Sequence, residues 1–590
     1  MSGLRISPRL AFGLLLAWLL VAPWLLTEYQ LIQMNYIGVG AIVALGLVLL
    51  TGVAGVMSFG QQVFAGLAAY TTAVLSTRYG ASPWLALLLG LCMISLVALF
   101  LGAITLRLSG HYLPIATIAW GIAIYYVFGN LEILGSHSGL SNIPAIAIGS
   151  AKLETPARIY WLIWPVLLAL LLACSNLLDS RSGRAMRALR ARTVMAESFG
   201  VNTFRLKLVV FLLAALFAGL SGWLYAHFLS FVSPSAFNVK AGIDYLFMVV
   251  LGGAGTVWGA LIGSSIFNVL KEVLSGLLPS GPGGSGNYEV VFLGALILLI
   301  LHRSTAGLAP VLARFALKPR ERKLAPQAEP LPRRVYPPHD SLLQVSKVSK
   351  RFGGLVAVRD MSFEVKKGEI LGLIGPNGAG KSTMFNMMSG VLACDGGQVS
   401  LCGERIDGLT PSQIARRGMA RSFQHVNLVG NMSVLDNVAI GAHLRGEKGV
   451  LSAMLRTDRA EDQRLLAEAA RQIERMGLTE HMFDAAGTLA LGKQRLVEIA
   501  RALCADPMLL LLDEPAAGLR YAEKKALAAS LAGLRAEGVS ILLVEHDMDF
   551  LMNLADRIVV MQFGEMLTSG SPRQVQSNPA VIEAYLGRAA

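Results

Sequence analysis

Hydrophobic and polar positions divide this chain into two halves. Up to about residue 302 apolar residues run almost without a break, in segments near 10–26, 31–53, 62–76, 84–106, 112–129, 160–178, 208–231, 243–270 and 288–302. A helix that crosses a bilayer needs about 20 mainly apolar residues, so these runs predict about eight to ten spans. The segment 243–270 is interrupted by Gly252, Gly253 and Gly255. It reads as one bent helix, a short helix pair or a re-entrant segment, because broken backbone is tolerated at membrane depth only under protein or water cover. The first run follows Arg5 and Arg9 with no small-residue cleavage site after it. It is read as a retained span rather than a signal peptide.

From about Leu342 the pattern changes. Short apolar runs, Ile370–Ile374, Leu509–Leu512 and Ile541–Val544, alternate with helical spacings such as Leu496, Ile499, Ala500 and Leu503. Continuous apolar runs of that length are strands buried on both faces, which predicts an α/β domain with a parallel sheet. Between the halves, Pro319, Pro326, Pro330, Pro332, Pro337 and Pro338 stand among charges. They predict an extended, solvated tether, or a basic patch on a lipid surface. The expected organisation is a polytopic all-α membrane domain (1–302), a Pro/Arg-rich cytoplasmic linker (303–341) and an α/β phosphate-loop ATPase domain (342–590).

Composition agrees. Of 590 residues 54% are hydrophobic and 15% charged, against about 25% charged in soluble proteins. The net charge of +13 sits beside apolar spans, which is the positive-inside signal and not a nucleic-acid footprint. Arg181, Arg184, Arg187, Arg190 and Arg192 crowd one connection, and Arg303, Arg314, Lys318, Arg320, Arg322 and Lys323 follow the last span. Both regions are expected in the cytoplasm. Arg5 and Arg9 put the N-terminus there too, which implies an even number of spans. The five cysteines form no C-x-x-C pair, so neither a zinc site nor a disulfide framework is predicted.

The chemistry lies in the second half. Gly375-Pro376-Asn377-Gly378-Ala379-Gly380-Lys381-Ser382-Thr383 fits G-x-x-x-x-G-K-[ST] between a strand and a helix. Its backbone N–H groups cradle phosphate oxygens, Lys381 sets a point charge on the β and γ phosphates, and Ser382 reaches magnesium. Asp513 and Glu514 close the strand Leu509–Leu512, where parallel sheets bind ligands. Asp513 is expected on magnesium and Glu514 on the attacking water. His546, after the strand Ile541–Val544, is expected at the γ-phosphate. Gln424 is set against the same phosphate and metal. Phe352 is either an adenine-stacking residue or core. ATP and Mg2+ are the implied cofactors.

This ordered set resembles the ATPase domain of ABC transporters over about residues 342–590. The resemblance implies that Phe352 stacks on adenine, Gln424 is the Q-loop glutamine, Glu514 the catalytic base and His546 the switch histidine. Where the family's signature reads L-S-G-G-Q, this chain has Leu489-Ala490-Leu491-Gly492-Lys493. Gly492 keeps a backbone donor for nucleotide, while Ala490 lacks the hydroxyl. Arg520 stands where the D-loop usually has Asp or Asn. Such domains pair head to tail. The chain's own phosphate-loop side is therefore expected to be competent, and the partner site completed by its signature is in question.

The first half, about 30–302, resembles the permease subunit of branched-chain amino acid importers. The resemblance rests on Ser58-Phe59-Gly60-Gln61-Gln62-Val63-Phe64-Ala65-Gly66-Leu67-Ala68-Ala69-Tyr70, on Leu106–Thr117 and on Val250–Thr256. The tail Asn578–Gly587 is similar to the end of that family's ATPase subunits. The implied protein is a permease–ATPase fusion in a bacterial inner membrane, with its ATPase domain cytoplasmic. It imports branched-chain or other hydrophobic amino acids at the expense of ATP. Related importers carry urea, amides or aromatic acids, and an exporter or an ATP-gated channel are the rivals. The implied partners are membrane lipid, a periplasmic substrate-binding protein, and a second permease and second ATPase supplied by different chains. Ala188–Gly200 is expected either to be a coupling helix that docks on the ATPase or to be simply a basic loop.

Overall fold

A computed structural model describes residues 8–108, 112–277, 286–303, 307–308, 328–337 and 339–586. It divides into two compact units. One runs to Leu177 and resumes at Phe204 as far as Glu321; the other takes Leu178–Thr203 and the chain from Arg322. The boundary at 302 expected from hydropathy is thus crossed by one segment, since residues 178–203 fold with the ATPase half.

The first unit is helical: α1 (Pro8–Leu25), α2 (Glu28–Leu47), α3 (Gln61–Arg78), α4 (Pro83–Thr105), α5 (Tyr112–Asn130), α6 (Pro156–Leu178), α9 (Thr203–Leu229), α10 (Val239–Gly252), α11 (Val257–Leu277) and α12 (Gly286–Arg303). Every apolar run of the sequence becomes helix. Among the described residues six are long and apolar enough to cross a membrane: α2 with its π-helical extension to Val53, α4, α5, α6, α9 and α11. Shorter apolar stretches lie in α1 and α12. Helix α3 falls outside that set because Gln61, Gln62, Thr71, Thr72 and Ser76 interrupt it. The segment 243–270 is a helix pair, α10 and α11, turned at Gly253 with φ +95°. Glycine is required for the pair to close: a Cβ on Gly252 would lie 1.7 Å from the Gly259 carbonyl oxygen, and one on Gly263 as close to that of Met248.

In the second unit the membrane-sequence segment forms two short helices, α7 (Arg181–Ala191) and α8 (Thr193–Ser198). Ser180 caps α7 by accepting from the Gly183 N–H. The ATPase fold has two sheets. The main one has six strands, β6 (Met419–Arg421), β7 (Leu509–Asp513), β8 (Ser540–Val544), β3 (Ile370–Ile374), β9 (Arg557–Gln562) and β10 (Glu565–Gly570), in that spatial order. Its first five strands are parallel and β10 is an antiparallel edge. The other sheet is antiparallel, β2 (Leu355–Lys366), β1 (Ser341–Phe352), β4 (Gly396–Leu401) and β5 (Glu404–Arg405). Leu509 to Leu512 have no exposed surface, each side chain contributing about 1.5–3 kcal/mol of burial. That hydrophobic spine holds Asp513 at its carboxyl end. Helices α13 (Lys381–Met388), α14 (Pro411–Arg416), α15 (Val434–Gly441), α16 (Arg459–Arg475), α17 (Leu491–Leu503) and α18 (Tyr521–Ala536) complete the parts used below.

The linker departs from a solvated tether where it is described. Residues 328–337 lie on the ATPase fold. The Arg334 N–H donates to Asp506 Oδ2 at 2.6 Å and the Tyr336 hydroxyl to the Asp506 carbonyl at 2.6 Å. Arg445 donates to the Pro332 carbonyl at 3.0 Å. Left-handed turns at Gly418 (φ +98°) and Asp506 (φ +52°) create the seat: a Cβ on Gly418 would lie 2.4 Å from the Tyr336 ring. The prolines remove N–H groups from the strap, and Arg334 and Tyr336 supply the donors instead. Linker residues 304–306, 309–327 and 338 lie outside the described set.

Candidate nucleotide site and its link to residues 178–203

The phosphate loop joins β3 to α13, as its strand–loop–helix pattern predicts. Gly380 precedes the helix with φ +97°, and a Cβ there would stand 2.4 Å from the Ala357 carbonyl oxygen. No other residue type fits without strain. Lys381 is buried, and its ammonium donates to the carbonyls of Gly375 at 2.7 Å and Pro376 at 3.0 Å. The ammonium therefore spans the loop that would hold phosphates. Burial pushes its pKa down, and Glu514 and Asp513 pull it back up. Asn377 and Gly378 are exposed at the loop tip, and Ser382 is exposed at the start of α13.

Asp513 ends β7 with 5% exposure. Its N–H donates to Ser422 Oγ at 3.2 Å, while Oδ1 is buried without a hydrogen-bond partner among the described residues. An orphaned carboxylate oxygen of this kind is costly and fits a divalent cation with oxygen ligands. Burial raises its pKa, against Arg421 nearby. Arg421 itself is pushed down to about 10 by burial. Its guanidinium lies between the Phe385 and Phe423 rings, 5.0 and 4.6 Å from their centroids, and donates to Ser389 Oγ at 2.5 Å.

Glu514 adopts the left-handed region, φ +48°, which few non-glycine residues visit. This turns its carboxylate toward two expected residues. His546 Nε2 is 2.9 Å from Glu514 Oε1, and Gln424 Nε2 donates to the same oxygen at 3.2 Å. Lys381, Gln424, Asp513, Glu514 and His546 are thus drawn together from four strand ends. Phe352 is half exposed at the end of β1, with the Lys350 ammonium 5.8 Å from its ring centroid. A Cβ on Gly492 would lie 2.9 Å from Leu519 and 3.2 Å from the Glu523 carboxylate. Ala490 stands at the N-cap of α17 with φ −60° and ψ 149° and no side-chain cap. Lys493 Nζ is 2.6 Å from His481 Nε2.

Residues not singled out from sequence support this set. Glu545, 2% exposed, accepts from the N–H groups of Ala516 at 2.7 Å and His546 at 3.1 Å. One carboxylate thereby holds both the loop after Glu514 and the loop that carries His546. Burial raises its pKa, and the backbone donors oppose the rise. The signal in the sequence was an acidic residue ending an otherwise apolar strand.

The segment 178–203 is tied to the same site. Arg184, buried on α7, donates to Asp462 of α16 at 2.5 Å and faces Asp436 of α15 at 3.8 Å. Arg181 donates to the carbonyls of His443 at 2.6 Å, Lys448 at 2.6 Å and Gly446. Phe199, 1% exposed, lies under the Arg501 guanidinium, 4.9 Å from carbon to ring centroid. Arg501 then donates to Glu498 at 3.1 Å and to the Asn427 carbonyl at 3.0 Å, and the Asn427 N–H donates to Glu498 at 2.9 Å. Arg495, on the same helix α17, donates to the Phe423 carbonyl at 2.9 Å. A contiguous path therefore runs from Phe199 to the residues flanking Gln424.

Comparison with known proteins agrees with both halves. Residues 31–301 match the family described as branched-chain amino acid transport system / permease component, 358–517 match ABC transporter, and 565–590 match branched-chain amino acid ATP-binding cassette transporter. The high-affinity branched-chain amino acid transport ATP-binding protein LivG of Salmonella typhimurium is 45% identical over 251 residues, which are 42% of this chain and 98% of LivG. The corresponding BraF of Pseudomonas aeruginosa is 43% identical with the same coverage. A nucleotide-free ATP-binding cassette from an ABC transporter is 30% identical, covering 42% of this chain and all of that one, with a TM-score of 0.38. The chain belongs to the branched-chain amino acid family of ABC transporters, with permease and ATP-binding components fused in one polypeptide.

Proposed function

We infer that this chain couples ATP hydrolysis to the import of branched-chain amino acids. The observation that carries the coupling is the path from Phe199 through Arg501 and Glu498 to Asn427. A segment continuous with membrane helices α6 and α9 is packed, residue on residue, to the loop that bears Gln424. Discrete packed contacts of this kind pass a displacement from one site to another.

In the reaction, Lys381 and the loop N–H groups bind the phosphates. Glu514 accepts the proton of the attacking water at its carboxylate, and His546 and Gln424 hold that carboxylate in place. Ser382 and Asp513 are the residues that would hold magnesium, which supplies positive charge to the phosphates. Gly492 is assigned to the nucleotide of a partner domain and Phe352 to adenine. Further transporter subunits complete the assembly. In our reading they are a second permease, a second ATPase and a periplasmic binding protein, each a separate chain.

Uptake of labelled leucine by cells that carry this chain and its partner subunits tests the reading. ATP-dependent accumulation that requires the binding protein is expected. Accumulation without it, or efflux, would refute import.

A further inference from the structure

The first turn of α3 places two glutamines inside the helical unit with nothing to bond. Gln61 and Gln62 are each 1% exposed, and all four of their amide atoms are buried without a hydrogen-bond partner among the described residues. Leaving such groups unsatisfied costs about 1–3 kcal/mol each, so a cluster of orphans asks for a bonding partner that arrives from outside.

Three elements cross here. On α5, Thr117, Trp120 and Gly121 lie on one face, three and four residues apart. Thr117 Oγ1 accepts from the Phe59 N–H at 3.1 Å. The Trp120 ring occupies the place of a Cβ on Gly60, at 2.1 Å, and its indole N–H is a further buried orphan. Gln62 is held between glycines: a Cβ on Gly242 of α10 would lie 2.5 Å from its Oε1, and one on Gly121 3.3 Å from its Nε2. Glycine at both points lets a polar amide sit where three helices meet.

The same face of α3 continues through Gly66 to Tyr70, four and eight residues on. A Cβ on Gly66 would meet Phe128 at 2.6 Å and Phe237 at 3.0 Å. Tyr70 packs on Phe128, ring centroids 4.8 Å apart, and its hydroxyl is also buried and unpartnered. At 1.5 Å per residue, the two polar stations stand about 12 Å apart with an aromatic stretch between them.

A zwitterionic α-amino acid with an aliphatic side chain matches this order. Its carboxylate accepts from an amide NH2, its ammonium donates to an amide oxygen, and its side chain suits the Phe128 and Phe237 rings. A glutamine offers both amide functions without a charge that would hold the cargo fast. We propose that the α3 face Gln62–Gly66–Tyr70, with Gln61 beside it, is the surface that contacts the amino acid in transit, the two glutamine amides taking its charged head. The proposal rests on the import reading above and adds the place and the chemistry of cargo contact.

Apolar substitution separates a cargo role from a packing role, because replacing orphaned amides by leucine relieves the fold. Leucine uptake is measured in cells, basal ATP hydrolysis in their membranes, and melting on the purified chain. For Gln62→Leu the expected result is a KM for leucine raised at least tenfold. ATP hydrolysis should stay within twofold of wild type and the melting temperature should be unchanged or higher. Tyr70→Phe removes a single oxygen and should raise KM about threefold. Gln62→Asn keeps the amide one methylene short and guards against misfolding; an intermediate KM is expected. An unchanged KM in Gln62→Asn and Tyr70→Phe, or in Gln62→Leu with normal melting, overturns the proposal and leaves the glutamines as packing. Failure of the wild-type chain to import leucine would strike the import reading instead.

Discussion

Arg184 Nη2 lies 2.5 Å from Asp462 Oδ1, with 1% of the arginine side chain exposed. The arginine belongs to the connection between α6 and α9, and the aspartate to helix α16 of the ATPase fold. Burial disfavours the charged guanidinium, but Asp462 and Asp436 outweigh it and hold its pKa up. Removing one partner of such a pair costs about 3–5 kcal/mol, because the other charge stays buried. Arg184→Met is therefore expected to loosen the segment 178–203 while the nucleotide site stays whole. Leucine uptake should fall at least tenfold with ATP hydrolysis retained, as read by uptake and phosphate release on the same membranes. Parallel loss of both would mean that the pair serves only folding.

Glu514→Gln keeps the shape of the side chain and removes the carboxylate proposed as the base. General-base catalysis contributes roughly 100- to 10,000-fold, so phosphate release should fall at least 100-fold while ATP remains bound. Nucleotide retained on the purified variant is the check, and near-normal hydrolysis would remove Glu514 from the role.

Asp513→Asn tests the orphaned Oδ1. The amide offers one weaker oxygen ligand, and the magnesium concentration for half-maximal hydrolysis should rise about tenfold. A titration of hydrolysis against magnesium measures it.

Ala490 already has N-cap backbone geometry but no oxygen to accept from the first turn of α17. Ala490→Ser should add about 1 kcal/mol to the stability of the fold, the usual worth of such a cap, seen as a higher melting temperature. If the missing hydroxyl also limits the partner site, turnover rises with it.

Glu545 gives a pH dependence. Its folded pKa is raised above 4.5 by burial, so the folded state takes up the proton more readily than the unfolded chain. That contribution is fully present below pH 4.5 and is lost as pH rises through the raised value. Glu545→Gln removes this slope. It also presents an NH2 to one of the two N–H groups, of Ala516 or His546, that bond separate carboxylate oxygens, and the loss of a bond worth about 1 kcal/mol should lower kcat several-fold with KM for ATP little changed. Melting curves between pH 4 and 8, with steady-state kinetics, decide it.

The sequence alone determined the helical membrane half, the phosphate loop and the strand-borne Asp513, Glu514 and His546. Each depends on local rules: unbroken apolar length, glycines at one turn, and carboxylates closing an apolar strand. Family resemblance added the roles expected of Gln424, Phe352 and Gly492, and the structure joins Gln424 to Glu514. Tertiary packing alone decided the rest. The residues alone left Ala188–Gly200 as either a coupling helix or a basic loop, and only packing brings Arg184 to its counter-charges, Asp436 and Asp462, some 250 to 280 residues further on. Composition likewise made 328–337 a free tether, whereas turns at Gly418 and Asp506 seat Arg334 and Tyr336. Gln61 and Gln62 were legible as a motif. Their lack of partners was not, because satisfaction of a buried amide depends on which helices cross it, and no local pattern in the chain encodes that crossing.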